Sequence, residues 1–409
     1  MEKRTVLFCL LLLCCMLPVL GQTSQELAFA KKEGELTKKL EQAAIQKDNK
    51  SRERICLELI QNFKAQPKEL QDKYSWAISN YYYNLACFQS LQKKKSAAIK
   101  SFELAYQNKY IDYRHTLVDT DLDYIRTDKR FKAIMEKMRE EGDYLYILQK
   151  ASGYARNARR DTLPEFTYMN PNNRDLVRVR QYFNLDSVAG AGDEISKIKN
   201  LLTFIHNKIR HDGQHGNPPQ KNAIELTEAC KDGSRGLNCR GLATVLNECY
   251  LAMGFKSRFI TCLPKVYISD CHVINAVYSN TLDKWVWVDP TNNAWVMDEN
   301  GTLLSIQEVR ERLRDGRPVV LNEEANWNNK SKVTKEEYLE NYMAKNLYCI
   351  ECSDRSEFNT ETRYQGKQTF PQYPILCPDG FVPDYPQDMI QPDQIVYDDE
   401  WFWQSPYQK

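Results

Sequence analysis

The spacing of apolar residues changes once along this 409-residue chain. From about Ser24 to Lys150, apolar residues recur at helical intervals with almost no Gly. Further on, two more helical stretches precede three short runs at 256–261, 271–278 and 284–288, which are rich in β-branched and aromatic residues. Helices followed by antiparallel strands are typical of an α+β fold. The sequence therefore predicts an all-helical domain ahead of a mixed one.

Length and charge narrow the possible functions. A chain of this length has room for two or three domains. Lys and Arg number 56 against 55 Asp and Glu, and no compact basic stripe stands out. A balanced charge offers no field that would attract nucleic acid, so we expect no nucleic-acid partner.

The first 21 residues are typical of a secretory signal peptide. Glu2, Lys3 and Arg4 precede an apolar run that ends at Leu20, and small Gly21 follows. The run is too short to cross a membrane comfortably, and a lipid-modified Cys14 or Cys15 is disfavoured by the bulky residue before it. We therefore expect cleavage after Gly21, an exported periplasmic or extracellular protein, and no stable membrane insertion afterwards.

Residues 22–150 are predicted to form the helical domain. A 34-residue helix-turn-helix frame over 79–112 resembles a tetratricopeptide repeat. The residues that carry this resemblance are Tyr82, Leu85, Ala86, Ala98, Phe102 and Ala105. Two interpretations stay open: a groove that binds a protein partner, and a plain helical bundle that supports the rest of the chain.

Ten cysteines remain once the signal peptide is removed, which is too few for a disulfide scaffold. Cys262 with Cys271, and Cys349 with Cys352, are the close pairs in sequence, but spacing alone does not establish a bridge. Only Cys377 follows the second pair, so a four-ligand zinc site is incomplete. We expect mostly buried free thiols and neither a metal nor an organic cofactor.

Three segments after residue 190 each contain one residue of a reactive set. Cys239 follows Gly236-Leu-Asn238 and opens an apolar helix, His272 begins a strand, and Asp289 ends the next strand of a hairpin. A helix N-terminus favours thiolate over thiol. A nearby imidazole can hold that thiolate as an ion pair and later protonate a leaving amine. A carboxylate beside the imidazole would set its orientation.

These segments make residues from about 190 to 300 similar to the transglutaminase-like superfamily, a branch of the papain-like thiol fold. The resemblance lies in Asn238-Cys239-Arg240-Gly-Leu-Ala, in Leu251 to Arg258, and in Trp287-Val-Asp289-Pro-Thr291. It implies Cys239 as nucleophile, His272 as acid and base, and Asp289 as the orienting residue. Residues 300–330 resemble secreted bacterial members of the group.

The domain limits that follow are a lead-in segment at 151–190, a catalytic core at 191–330 and a C-terminal extension at 331–409. The resemblance implies acyl transfer from amide bonds of peptides or proteins, by hydrolysis or by transamidation. The alternative is an inactive envelope protein that binds a partner through its helices. The oxyanion donor stays open among the backbone N–H of Cys239 and the side chains of Gln214, His211 and Asn238. The aromatic tail around Trp401 and Trp403 either closes a core or covers the cleft in self-inhibition.

Overall fold

The computed structural model describes residues 23–156, 163–363, 370–386 and 394–407. The predicted signal peptide at 1–21 lies outside these residues. The described residues form two compact units, divided in sequence between Asp143 and Tyr144. The predicted domain limits at 150, 190 and 330 stay predictions. Across the described ranges, no helix is both long enough and apolar enough to cross a membrane.

Every regular element in the described part of the first unit is a helix. Several helices begin where a side chain accepts hydrogen bonds from the first turn: Thr23, Asp48 and Asp128 each cap one. The elements are α1 (Ser24–Ile45), α2 (Asn49–Lys64), α3 (Lys68–Lys73), α4 (Ser75–Leu91), α5 (Lys95–Gln107), α6 (Tyr113–Val118), a 3₁₀ turn (Thr120–Leu122) and α7 (Lys129–Gly142).

Helices α4 and α5 pack against each other over the segment that resembles a tetratricopeptide repeat. Ala86, Ala98 and Ala105 are fully buried there, together with Phe102. Small side chains at these positions let two helix backbones approach closely. The helical N-terminal domain is confirmed, and the repeat type stays a prediction.

The second unit combines helices with short and long strands. Its helices are α8 (Tyr144–Gln149), α9 (Arg174–Phe183), α10 (Leu185–Ala189), α11 (Glu194–Lys208), α12 (Ala223–Glu228), α13 (Cys239–Ala252), α14 (Ile306–Arg314), α15 (Lys335–Glu337), a π-helix (Tyr338–Met343), α16 (Ala344–Asn346) and α17 (Asp399–Phe402). Its strands are β1 (Thr167–Tyr168), β2 (Ser257–Leu263), β3 (His272–Ser279), β4 (Lys284–Val288), β5 (Val296–Met297), β6 (Val320–Leu321), β7 (Asn326–Trp327), β8 (Ser331–Lys332), β9 (Cys349–Cys352), β10 (Arg355–Ser356), β11 (Ile375–Leu376) and β12 (Ile395–Val396).

Six of these strands form the central sheet, in the order β12-β11-β9-β2-β3-β4. All neighbours pair antiparallel except β11 and β12. In this register His272 lies opposite Cys262 at the start of β3, and Val288 at the end of β4 pairs with Asn275. The predicted α+β class, with a helix packed on an antiparallel sheet, is confirmed.

Alternation along β3 gives the sheet two packed faces. Val273 and Val277 belong to apolar clusters that contain residues of α13. Ile274 and Ala276 point the other way, into a cluster that contains Trp401 and Phe402. Within residues 394–407, Trp401 and Phe402 therefore close the core on the sheet face opposite the cysteine helix. They do not cover Cys239.

The cysteines of the described segments are all free thiols, and seven of the ten are buried. Cys349 and Cys352 leave opposite faces of β9 because they are three residues apart. The Sγ atom of Cys349 lies 2.8 Å from that of Cys377, whereas Cys352 Sγ lies 3.8 Å from Arg258 Nη1. The neighbours in space are thus not the neighbours in sequence.

Two glycines of the first unit offer a matched test of its packing. Gly34 is exposed in the middle of α1, and a Cβ there would meet nothing within 4 Å. A Cβ on buried Gly142 would lie 1.7 Å from the carbonyl oxygen of Ile111. We expect Gly34→Ala to stabilise the protein by about 0.5 to 1 kcal/mol through helix propensity. We expect Gly142→Ala to destabilise it by about 2 kcal/mol or more.

Thermal unfolding followed by circular dichroism distinguishes the two substitutions. Opposite shifts of the midpoint support the packing of Gly142 against Ile111. Equal shifts in one direction would show that this close approach is wrong.

Candidate active site

Cys239, the predicted nucleophile, is the first residue of α13. The preceding residue, Asn238, is the N-cap, and its Oδ1 accepts the backbone N–H of Gly241 at 3.1 Å. Asn217 Nδ2 donates to the same oxygen at 2.7 Å, and a Cβ on Gly241 would lie 2.7 Å from Asn217 Oδ1. The loop before α12 therefore packs directly on the start of the helix. This arrangement holds Cys239 at the positive end of the helix dipole.

His272 and Asp289 come together because β3 and β4 are neighbours. Asp289 follows β4 by one residue and is held by two backbone hydrogen bonds with Ala294. His272 Nε2 lies 2.8 Å from Asp289 Oδ2, and both side chains are buried. Burial alone would lower the pKa of His272. The charge and hydrogen bond of Asp289 outweigh burial, Cys239 acts in the same direction, and the pKa is raised to about 10. The imidazole is thereby held as a cation in the neutral pH range.

Cys239 completes the group. Burial opposes ionisation of its thiol, yet a hydrogen bond with His272, the charge of that residue and the backbone N–H of Val273 together lower the thiol pKa. The structure thus brings all three predicted residues into contact in one chain: Cys239 to His272 to Asp289. Such a chain can hold a thiolate and an imidazolium side by side.

The carboxylate of Asp289 is completely buried and accepts four hydrogen bonds. Oδ2 accepts from His272, from Asn292 Nδ2 at 2.9 Å and from the Tyr338 hydroxyl at 2.5 Å. Oδ1 accepts from the backbone N–H of Thr291 at 2.8 Å. Burial raises the pKa of Asp289, but the His272 charge and these donors outweigh it and lower the pKa to about 2. The group therefore stays ionised.

Arg240 supplies further positive charge beside the thiol. Its guanidinium donates to Glu361 Oε1 at 2.6 Å and to Thr261 Oγ1 at 2.9 Å, and Glu351 lies 3.8 Å away. Its charge is among the influences that lower the Cys239 pKa. The two carboxylates fix this cation at one side of the thiol.

The four oxyanion candidates now differ in their surroundings. Gln214 is exposed in its loop, and Asn238 Oδ1 is used by the helix cap. Trp327 Nε1 donates to His211 Nδ1 at 3.1 Å, which leaves Nε2 to carry the proton of the neutral ring. Burial, together with the charge of His272, lowers the His211 pKa and keeps that ring neutral. The capping contacts use only the oxygen of Asn238, so Asn238 Nδ2 and His211 Nε2 are the two side-chain donors that the structure defines.

Several residues around the predicted set escaped the sequence analysis. Tyr338, Asn292, Asn217 and Glu361 all contact a reactive residue or its immediate neighbour. Only Asn292 carried a local signal, since it follows Asp289 by three residues in a turn.

Comparison with known proteins agrees with this geometry. Residues 181–290 match the family model described as the transglutaminase-like superfamily. The second unit therefore contains a transglutaminase-like domain, which supports a thiol-dependent class of enzyme without resolving the reaction. No curated protein matches the chain.

Among solved structures, one from Cytophaga hutchinsonii, described as a proposed cysteine protease, shares 18% identity at a TM-score of 0.23. The match covers 38% of this chain and 51% of that one. This chain thus spans about half the length of that protein.

Two substitutions of Asn238 distinguish its capping of α13 from the effect of charge on the Cys239 thiol. Asn238→Ala removes the cap, so we expect a loss of about 1 kcal/mol in unfolding free energy. Asn238→Asp keeps a capping oxygen but places a negative charge beside Cys239. We expect near wild-type stability and slower alkylation of Cys239 at pH 6, measured by denaturant unfolding and peptide mapping. Equal destabilisation by both substitutions would contradict the capping role.

Proposed function

We propose that this protein is an exported, thiol-dependent enzyme that breaks amide bonds in peptides or proteins and transfers the acyl group to water or to an amine. One observation carries the proposal: His272, which is paired with the buried carboxylate of Asp289, lowers the pKa of the Cys239 thiol. The match of residues 181–290 to a family of thiol enzymes supports it.

In the first half-reaction, Cys239 Sγ attacks the amide carbon and forms an S–C bond while the carbonyl electrons move onto oxygen. His272 then gives its proton to the amine nitrogen as the C–N bond breaks. Asp289 keeps His272 Nε2 engaged, so Nδ1 is the ring nitrogen left to face the thiol. The products of this step are a free amine and a thioester on Cys239.

In the second half-reaction, a water molecule or a primary amine attacks the thioester carbon. His272, now neutral, removes a proton from the attacking group, and the S–C bond breaks to restore the thiolate. The catalytic residues are the same for both acceptors, so access of water to the cleft decides between hydrolysis and transamidation.

Export, the protein substrate and a partner for the helical domain belong to the same proposal. The N-terminal charged and apolar segment supports export. A peptide or protein substrate follows from the family resemblance, and the helical unit is a candidate surface for a partner. The proposed chemistry requires no cofactor.

The reactivity of Cys239 tests the nucleophile without a known substrate. Because the pKa of Cys239 is lowered and that of His272 is raised, we expect the ion pair to be populated at pH values between these two pKa values. We expect the alkylation rate to rise well below about pH 8.5, the ordinary value for a thiol, and the imidazolium to be lost as pH rises through about 10. His272→Ala should abolish the reactivity at low pH.

Peptide mapping with a pulse of iodoacetamide measures the rates. Cys230 and Cys271 serve as internal controls, because both are partly exposed and burial raises the pKa of each. If Cys239 reacts no faster than these two at pH 6, the proposed nucleophile is wrong.

The acyl acceptor is tested with a glutamine-rich protein and a fluorescent primary amine. Transamidation incorporates the amine, and proteolysis creates new N-termini, each scored by mass spectrometry. Cys239→Ala should reduce either product by about a thousandfold or more. Product formation that survives this substitution would show that the thiol does not carry the reaction.

A further inference from the structure

The π-helix at Tyr338–Met343 contacts the proposed catalytic residues although it lies outside the 181–290 match. Its widened turn is marked by the N–H of Ala344, which donates to the carbonyl of Leu339 five residues earlier. Single π-helical turns are rare and are frequent at functional sites.

Two tyrosines of the π-helix reach the histidine and the aspartate. The hydroxyl of Tyr338 donates to Asp289 Oδ2 at 2.5 Å, and this is the oxygen that His272 also binds. The rings of Tyr338 and Tyr342 both meet the His272 imidazole edge-on, with centroids 6.4 and 5.3 Å away. Both partners of the His–Asp pair therefore touch the same short helix.

The end of this segment is tied to the residues just before His272. Lys345 forms an ion pair with Asp270, and the Lys345 side chain is nearly buried. Among the described residues, the Tyr342 hydroxyl makes two long contacts, at 3.4 Å to Asp270 Oδ1 and 3.5 Å to the carbonyl of Cys271. The position of the π-helix relative to β3 is thus set independently of the Tyr338 hydroxyl.

We propose that Tyr338 is a positioning residue, whose hydroxyl holds Asp289 Oδ2 in the orientation that keeps His272 directed at Cys239. The inference rests on the proposed function and adds a residue from the C-terminal extension to it. A phenyl ring alone would fill the same space against Trp287 and His272. The Tyr338 hydroxyl is a third donor to Asp289 Oδ2, which already accepts hydrogen bonds from His272 and Asn292.

A hydrogen bond to a carboxylate spreads its negative charge and stabilises the ionised form. Loss of the Tyr338 hydroxyl therefore makes Asp289 easier to protonate and frees its carboxylate to turn. Both effects weaken the hold on His272 in acid solution. The thiolate of Cys239 should then be lost at a higher pH than in the wild-type protein.

The test compares Tyr338→Phe with Tyr342→Phe in the full chain. Each keeps its ring and loses one hydroxyl, but only Tyr338 donates to Asp289. We expect Tyr338→Phe to slow Cys239 alkylation at pH 6 by about three- to tenfold, the size of one typical net hydrogen bond, and to move the acid limb to higher pH. We expect Tyr342→Phe to keep the wild-type profile.

Proton NMR of the His272 ring N–H gives a second measurement that needs no reactive thiol. A carboxylate that is free to turn holds His272 less tightly, so this resonance should move upfield in Tyr338→Phe and stay in place in Tyr342→Phe. An unchanged pH profile and resonance in folded Tyr338→Phe overturn the positioning role, as does an equal effect of both substitutions. A wild-type Cys239 that is unreactive at pH 6 would instead overturn the proposed function, with the resonance still reporting on Tyr338.

Discussion

The buried carboxylate of Asp289 is the group on which the second unit depends most. It has no exposed surface, and an unpaired carboxylate buried in this way costs several kcal/mol. Its four donors come from its own turn, from β3 and from the π-helix. Chain segments distant in sequence must therefore converge before this charge is stabilised. The same convergence fixes His272, the residue that lowers the pKa of the Cys239 thiol, so stability and the proposed chemistry depend on the same carboxylate.

Much of this arrangement follows from local sequence. Asn238 before an apolar helical period marks the start of α13, and a helix that starts there places Cys239 at its positive end. Alternating β-branched and aromatic residues mark β3 and β4, and a short turn makes them antiparallel neighbours. From these two facts His272 and Asp289 must lie on adjacent strands, as the 2.8 Å contact shows. The α+β class was predictable for the same reason.

The remaining contacts depend on tertiary packing, which the local spacing of apolar residues does not indicate. Tyr338 lies 49 residues after Asp289, and Glu361 lies 121 residues after Arg240. The two-residue strands β11 and β12 are too short to show an alternation, yet they extend the sheet. Strand β9 was not predicted for another reason. Cys349 and Cys352 suggested metal or disulfide chemistry, whereas the segment lies inside the sheet beside β2. The aromatic tail likewise gave no sign of the face on which it packs.

The most direct test of a standing thiolate–imidazolium pair is the ultraviolet absorbance of thiolate, titrated in the wild-type protein and in Cys239→Ser. We expect the wild-type protein to carry one more thiolate than the variant near neutral pH, and His272→Ala to remove this difference. Burial raises the pKa of Cys249 and Cys262 well above the ordinary value, so these two thiols do not contribute absorbance in this range. Identical absorbance of the wild-type protein and Cys239→Ser up to about pH 8.5 would contradict the ion pair and the enzyme mechanism built on it.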